Sequence, residues 1–258
     1  MISIVIPTLN AGKFLRQTLN SIFAQDYSDY EILVIDSFSD DDTSRIIREY
    51  GIRFNAISKD KLRYVAMERE GQVAAINYGM SLAKGDILTY INYDDTYEKG
   101  AFRIVNAAFN AYKCQWLYGR GEVIDAEGNP TRSLVTKFKS LWWKRNSQRV
   151  LTWFDYICQP TVFFKRSLWE KVGAFNPEYK YCMDYDYWLR CYKVEAPHFV
   201  DAHLANWRAH SEAISVKNTN RQIDESLRIN LPYAQSTTDI VIQNMVAWGE
   251  KIIYGVMK

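Results

Sequence analysis

The run Asp86-Ile87-Leu88-Thr89-Tyr90-Ile91 passes directly into Asn92-Tyr93-Asp94-Asp95. An apolar stretch of this length predicts a buried strand with two adjacent carboxylates at its carboxyl end. Open α/β sheets bind ligands at that end of their strands, and like charges this close call for a cation between them. Metal-assisted chemistry on a phosphorylated substrate is therefore the first expectation. The competing role is a helix N-cap, which Asp fills well, because Tyr97 to Tyr112 reads as a helix. Two acidic residues in tandem directly after a strand favour the metal.

Working outward, strands and helices alternate. Ile2 to Ile6 is a β-branched strand, and Phe14, Leu15, Thr18, Leu19, Ile22 and Phe23 recur at helical spacing behind Gly12. Glu31 to Ile35 is the next strand. Asp41-Asp42-Thr43 opens a helix through Tyr50 with Ile46, Ile47 and Tyr50 inward. A strand at Arg53 to Ile57 and a helix from Val73 to Ala83, closed by Gly85, complete the series. Repeated β-α-β units imply a parallel sheet with right-handed crossovers. Trp116 to Ile124 reads as a further strand, and Asp125-Ala126-Glu127-Gly128-Asn129 as a tight turn.

With 258 residues, 48% hydrophobic and 24% charged, the chain can bury one sizeable core. A net charge of +2 gives no general attraction to nucleic acid. Cys114, Cys158, Cys182 and Cys191 form no C-x-x-C pair and no zinc spacing, so inert thiols in a reduced compartment are expected. Met1 to Asn10 lacks the basic and long apolar regions of a signal peptide. No apolar run reaches the ~18 residues of a membrane span, and a cytoplasmic location is expected. Gly119-Arg120-Gly121 has no third glycine at dinucleotide spacing, and there is no Walker-type loop. Phosphates must then be held by something other than a glycine cradle.

Four stretches together carry a family likeness: ISIVIPTLNAGKFLRQTLNSIFAQDYSDYEILVIDSFSDDDT (2–43), GQVAAINYGMSLAKGDILTYINYDD (71–95), QPTVFFKRSLWEKVGAFNPEYKYCMDYDYWLR (159–190) and WRAHSEAIS (207–215). In this order they resemble a bacterial family 2 glycosyltransferase. The resemblance implies an α/β GT-A fold, with a Rossmann-like, mostly parallel central sheet flanked by helices and an elaborated C-terminal acceptor half. As one domain, residues 1–95 would bind the nucleotide sugar, 96–235 would form the acceptor and catalytic half, and 236–258 a C-terminal helix. It further implies an inverting transfer, usually with Mg²⁺ or Mn²⁺, from a nucleoside diphosphate sugar to an acceptor hydroxyl. The setting would be bacterial surface polysaccharide or glycoconjugate assembly, and the acceptor a glycan or lipid-linked glycan.

The resemblance assigns roles residue by residue. Pro7, Thr8 and Asn10 fall in the loop along the nucleoside. Asp36 matches the carboxylate that accepts a hydrogen bond from the base's imide N–H, a proton uracil has and cytosine lacks, so a UDP-sugar is expected. Asp41 matches the Asp of the usual S-T-D-G-T run, and capping the next helix is its competing role. Ser37-Phe38 and Asp42 replace the small residues usual there. Gln72 and Asn77 match polar donor positions, and Arg69 stands where an acidic donor contact is common. Asn92, Asp94 and Asp95 take the place of D-x-D-D: Asn92 towards the ribose, Asp94 towards metal and donor, Asp95 towards the metal. Asp184 matches the catalytic base and Asp186 reads as structural. The helix Tyr187 to Tyr192 follows this pair. His210 matches a histidine that reaches metal or diphosphate from the C-terminal side, and Arg208 could pair with phosphate.

Two segments bear on the acceptor. Lys137 to Phe154 carries five basic residues, five aromatics and no acid, with no clean strand or helix period. It suits either an anionic membrane interface or a loop whose aromatics stack on sugars. Thr237 to Met257 has a broad apolar helical stripe through Val241, Met245, Trp248 and Ile252, beside Ile242, Val246, Ile253 and Val256. A packing or homo-oligomer helix is expected before a membrane anchor. The reading from another class is a non-catalytic sugar-nucleotide or glycan-binding subunit with the same fold. A nucleotidyltransferase is disfavoured because the glycine-rich, basic N-terminal signature is missing.

Overall fold

The computed structural model describes residues 1–56, 59–131 and 134–256. The strands are β1 (Ile2–Thr8), β2 (Tyr30–Asp36), β3 (Leu62–Ala66), β4 (Ile87–Tyr90), β5 (Thr96–Tyr97), β6 (Trp116–Ile124), β7 (Phe163–Lys165) and β8 (His198–Arg208). The helices are α1 (Leu15–Phe23), α2 (Thr43–Asn55), α3 (Gln72–Leu82), α4 (Ala101–Tyr112), α5 (Leu134–Trp143), α6 (Gln148–Leu151), α7 (Arg166–Val172), α8 (Met183–Val194), α9 (Ile214–Lys217), α10 (Thr219–Asn230) and α11 (Thr237–Val256).

One sheet runs through both halves in the order β3-β2-β1-β4-β7-β6-β8-β5. The first four strands are parallel, β7 is antiparallel to β4 and β6, and β6 is parallel to β8. Every residue of β1 and β2 is buried, as expected of strands covered by helices on both faces. Alternate side chains serve opposite layers: Val5, Leu33 and Ile35 face one core, whereas Ile4, Ile6, Ile32 and Val34 face the other. Because β2 lies on one side of β1 and β4 on the other, the order of the strands reverses there. The crevice at such a reversal is where open sheets hold ligands, and it sets Thr8 beside the Tyr90–Asp95 turn.

Several expectations need correction. Arg53 to Asn55 are the last turn of α2 and not a strand; Ile46, Ile47, Tyr50 and Phe54 are all buried. Gly51 does not break the helix because Phe54 packs edge-on against Phe23 at 5.0 Å. The strand lies later, at β3, and Ile57 falls outside the described residues, as does Met257. Tyr97 pairs in β5 with β8, so α4 begins only at Ala101, behind Gly100 at φ 83°. Helix α8 starts at Met183, which puts Asp184 and Asp186 in its first turn. The Lys137 to Phe154 segment is helical over much of its length, as α5 and α6. Trp143 and Phe154 are buried, with the Trp143 indole N–H on the Tyr156 carbonyl at 2.9 Å. Helix α11 docks through Asp239, Gln243 and the half-buried Val246, whereas Val241, Met245, Trp248 and Ile252 of its expected apolar stripe are exposed.

Helix α3 lies on β1 and β2 with Gly79 at the contact. A Cβ there would come 2.4 Å from Val5 Cγ1 and 3.0 Å from Ile35 Cγ1. Gly79→Ala should therefore overpack the layer and lower the free energy of unfolding by about 1–3 kcal/mol despite alanine's better helix propensity. Urea denaturation measures this, and a more stable variant would contradict the packing.

Candidate active site

The β1–α1 loop is tied to the β2–α2 loop through small polar groups. Asn10, at φ 52°, donates its backbone N–H to Ser39 Oγ at 2.9 Å, and its side-chain Oδ1 accepts from the Asp40 N–H at 3.0 Å. Asp41 accepts from the Gly12 N–H at 2.8 Å and the Thr43 N–H at 2.9 Å, so it holds the loop and the start of α2. Pro7 is buried in β1 opposite Ile35. Thr8 Oγ1 donates to Asp36 Oδ1 at 3.0 Å.

Asp36 is only 1% exposed. Its Oδ1 accepts from Thr8 and from Ser39 Oγ at 2.5 Å; its Oδ2 accepts from the Ser39 N–H at 3.2 Å and the Tyr64 hydroxyl at 3.3 Å. A carboxylate offers about four lone-pair sites, so the acceptor expected for a uracil imide is fully engaged inside the protein. Arg69 also differs from expectation. Its guanidinium donates to the Ser37 carbonyl at 3.2 Å and the Phe38 carbonyl at 2.7 Å. That clamp holds Phe38 at φ 51°, a left-handed conformation costly for a bulky residue. Asn77 bridges both ways to the backbone of Phe175 at 2.9 Å, and so anchors the segment before α8 rather than facing a donor.

The turn after β4 is held from all sides. Gln72 Nε2 donates to Asn92 Oδ1 at 2.7 Å, and Asn92 Nδ2 to Asp95 Oδ2 at 3.2 Å. Asp95, 1% exposed, accepts on its other oxygen from the Arg208 N–H at 2.8 Å. Burial, then the neighbouring Asp94 charge, push Asp95 well above the ordinary carboxylate range. Asp95 is thus turned inward, not outward beside Asp94. Arg208 does not reach for phosphate either. At 1% exposure, its guanidinium donates to the carbonyls of Asp94, Asp125 and Ala126 at 2.7, 2.9 and 3.1 Å and to Gln17 Oε1 at 2.7 Å.

Asp94 instead meets His210, with Oδ2 2.9 Å from Nε2. The imidazole is buried, 4.6 Å from the Phe14 ring, and its Nδ1 accepts from the Glu212 N–H at 3.3 Å. With Nδ1 accepting, the imidazole proton lies on Nε2 and is donated to Asp94; Nε2 and the Asp94 carboxylate would hold a Mg²⁺ or Mn²⁺ ion only after that proton moves to Nδ1 and the Glu212 contact is given up. Among the described residues no group of three or more His, Cys, Asp or Glu is arranged to hold a metal. An ion here would draw its remaining ligands from water and phosphate, the usual habit of Mg²⁺.

Asp184 sits half-buried at the start of α8 and accepts from the Tyr185 N–H at 2.9 Å. Burial raises its pKa to about 6; the Tyr185 and its own N–H groups and Lys139 oppose the rise, and Glu225 adds to it. Sequence reasoning missed Asp155, whose pKa burial lifts to about 7, with Lys139 opposing and Asp184 adding. Its Oδ1 holds the Ile157 N–H at 2.9 Å, and the only sequence signal was a lone acid after an acid-free stretch. The fully buried Tyr90 feels the charges of Asp184, Asp95 and Asp155, which places both carboxylates near the end of β4. Asp186 is structural, paired with Arg190 at 2.8 Å.

The chain matches the family model described as glycosyl transferase family 2 over residues 3–173. A Rickettsia conorii protein named as an uncharacterized glycosyltransferase is 30% identical over 226 residues, 85% of this chain and 36% of that one. This chain thus spans about a third of that relative. A PGL/p-HBAD biosynthesis glycosyltransferase of Mycobacterium tuberculosis is 27% identical over 237 residues, 90% of this chain and 87% of that one. Among solved structures, Staphylococcus aureus TarS 1–349 in complex with UDP-GlcNAc superposes with a TM-score of 0.65 at 17% identity, covering 95% of this chain and 70% of that one. The Pyrobaculum calidifontis mannosyltransferase PcManGT, in complex with GDP-Man and Mn²⁺, gives 0.69 at 16% identity over 96% and 69%. The fold is that of the GT-A glycosyltransferases.

Asp184 has a pH signature. Its folded pKa lies above the ordinary 3.8, so its contribution to stability is fully present below that value and is lost as pH rises through about 6. Asp184→Asn, which does not titrate, should therefore be more stable than the parent at pH 8 by about 1–3 kcal/mol and no more stable at pH 4. Urea midpoints at the two pH values test this; an equal difference at both would show that the carboxylate is not strained.

Proposed function

This chain belongs to glycosyl transferase family 2, and from that premise we propose that it moves a sugar from a nucleoside diphosphate donor to an acceptor hydroxyl, with inversion at the anomeric carbon. The observation that carries the reading is the meeting of Asp94 and His210, 116 positions apart in sequence and 2.9 Å apart in space. Asp184 takes the acceptor's proton as the hydroxyl attacks; a base with a pKa of about 6 is ionised at neutral pH yet still basic enough to accept a proton. Asp94 and His210 hold the divalent ion, which when bound neutralises charge on the departing nucleoside diphosphate. Asp95, Asn92 and Gln72 fix the turn that aims Asp94, and Pro7, Thr8 and Asn10 form the wall along the nucleoside. The UDP-GlcNAc and GDP-Man of the TarS and PcManGT complexes support the donor class. A uridine donor would need Tyr64 or Ser39 to release one Asp36 oxygen. The proposed acceptor is a glycan or lipid-linked glycan; the mycobacterial relative is named for PGL/p-HBAD biosynthesis.

The strained Phe38 and the filled Asp36 favour a second reading, a non-catalytic subunit that keeps the fold. Metal-dependent donor hydrolysis separates the two, since a binding subunit shows none.

Excess chelator should abolish turnover, and Asp94→Asn or His210→Ala should lower it by ~10³ or more at saturating Mn²⁺. Full activity in chelator would remove the ion from the mechanism.

Asp184→Asn keeps side-chain shape but cannot take a proton. Donor affinity should survive in calorimetry while turnover falls by ~10² to 10⁴. A variant within threefold of the parent would send the proton elsewhere, with Asp155 the next candidate.

A further inference from the structure

Helix α5 brings one cation into the place where three carboxylates meet. Of the five basic residues between Lys137 and Phe154, Lys137, Lys144, Arg145 and Arg149 are exposed and Lys139 alone is half-buried. Helical spacing explains the difference: Lys139 precedes Trp142 and Trp143 by three and four positions, so the three side chains share one face of α5. That face is clamped on both sides of Asp155. The Trp142 ring packs edge-on against Phe154 at 6.1 Å, and the Trp143 indole donates to the Tyr156 carbonyl at 2.9 Å. Phe138 adds a second ring contact to Phe154, at 5.3 Å.

Asp155, Asp184 from the first turn of α8 and Glu250 from α11 are all half-buried. Burial raises each of these carboxyls, and the Lys139 charge opposes the rise in all three. The buried thiols of Cys158 and Cys182 feel the same charge. The phenol of Tyr90 feels Asp184 and Asp155, that of Tyr185 feels Asp155 and Glu250, and Glu225 of α10 presses Asp184 further up. One ammonium among three carboxylates cannot serve any of them as a dedicated partner, as Arg190 serves Asp186 at 2.8 Å. Each carboxylate receives a share of its stabilisation.

We propose that Lys139 is a positioning residue for Asp184: its ammonium, delivered by the inward face of α5, holds that carboxylate in its charged form. The inference rests on the proposed role of Asp184 as the base. Carboxyl-carbon NMR titration, with Asp184→Asn to assign the resonance, reads the charge of Asp184 without any turnover. Lys139→Met keeps the aliphatic stem and deletes the charge, so the Asp184 midpoint should move to higher pH by ~1, whereas Lys139→Arg, which keeps the charge, should titrate as the parent does. The rate then divides by pH. A base that works only when ionised, and whose midpoint rises from about 6, loses ~5-fold in turnover at pH 6 and less than ~2-fold at pH 8, with nucleotide affinity unchanged in calorimetry. A lysine that only packs α5 would lower the rate equally at both. An Asp184 midpoint unmoved by Lys139→Met, or an equal loss of rate at pH 6 and pH 8, overturns the inference. Turnover by Asp184→Asn within threefold of the parent would overturn the proposed base itself, and the catalytic part of this inference with it, even where the midpoint moves.

Discussion

The Arg208 guanidinium is the tie on which the site depends. From the last residue of β8 it reaches the Asp94 carbonyl, the carbonyls of the Asp125 turn and the Gln17 side chain of α1, while its own N–H holds Asp95. One side chain thus joins the C-terminal strand to the turn after β4, to the turn after β6 and to the first helix. A buried cation is stable only when its donors are matched and opposite charge stands close; here Asp95 and Asp94 counter the burial that otherwise lowers its pKa. Phe14 lies between Arg208 and His210, 5.0 Å from the guanidinium carbon and 4.6 Å from the imidazole ring. The residue that fixes the turn and the residue that meets Asp94 are therefore positioned against the same ring.

The two halves of the chain differ in how far their sequence could be read. In β1, β2 and β4 an all-apolar run has one reading, a strand buried on both faces, and the intervening helices show their period in Leu15, Leu19 and Ile22 or Ile46, Ile47 and Tyr50. The helix expected to end at Tyr50 runs on because Phe54 carries the apolar period of α2 one turn further, and the strand is displaced to β3. For the site, residue type gave the candidates but not the direction of each side chain. Asp94 and Asp95 are adjacent and chemically identical, and only the Arg208 and Asn92 contacts turn one inward and leave the other to His210. The same holds for Arg69 and Asn77, whose partners are remote in sequence and leave no local pattern, and for Asp36, where Ser39 is the near partner and Thr8 and Tyr64 are remote. Asp155 was invisible because its neighbourhood is built by α5 and α8, not by its own segment.

Asp184 and Phe38 show how strain is divided over the fold. Burying a carboxylate opposes folding at neutral pH, and the Tyr185 N–H, its own N–H and Lys139 offset part of that cost. Asp186, two residues on, is also buried but has Arg190 at 2.8 Å. A full partner for Asp184 would hold it ionised and draw its pKa down, making it a poor base. The weak compensation is what keeps the pKa near 6, so the instability and the proposed chemistry have one cause.

Phe38 is strained for a different reason. Its left-handed backbone serves the loop, because it lets Ser39 turn back to give both its N–H and its hydroxyl to Asp36. Arg69 then holds the two carbonyls that this turn leaves pointing outward. A glycine at position 38 would relax the backbone, but the exposed aromatic ring, 49% accessible, would be lost from the loop. The arrangement exchanges a flexible loop with an open carboxylate for a rigid one with an exposed aromatic ring. The loop therefore presents a filled carboxylate and an exposed aromatic side chain, and an aromatic face is tolerant of base identity because every base presents a π-face.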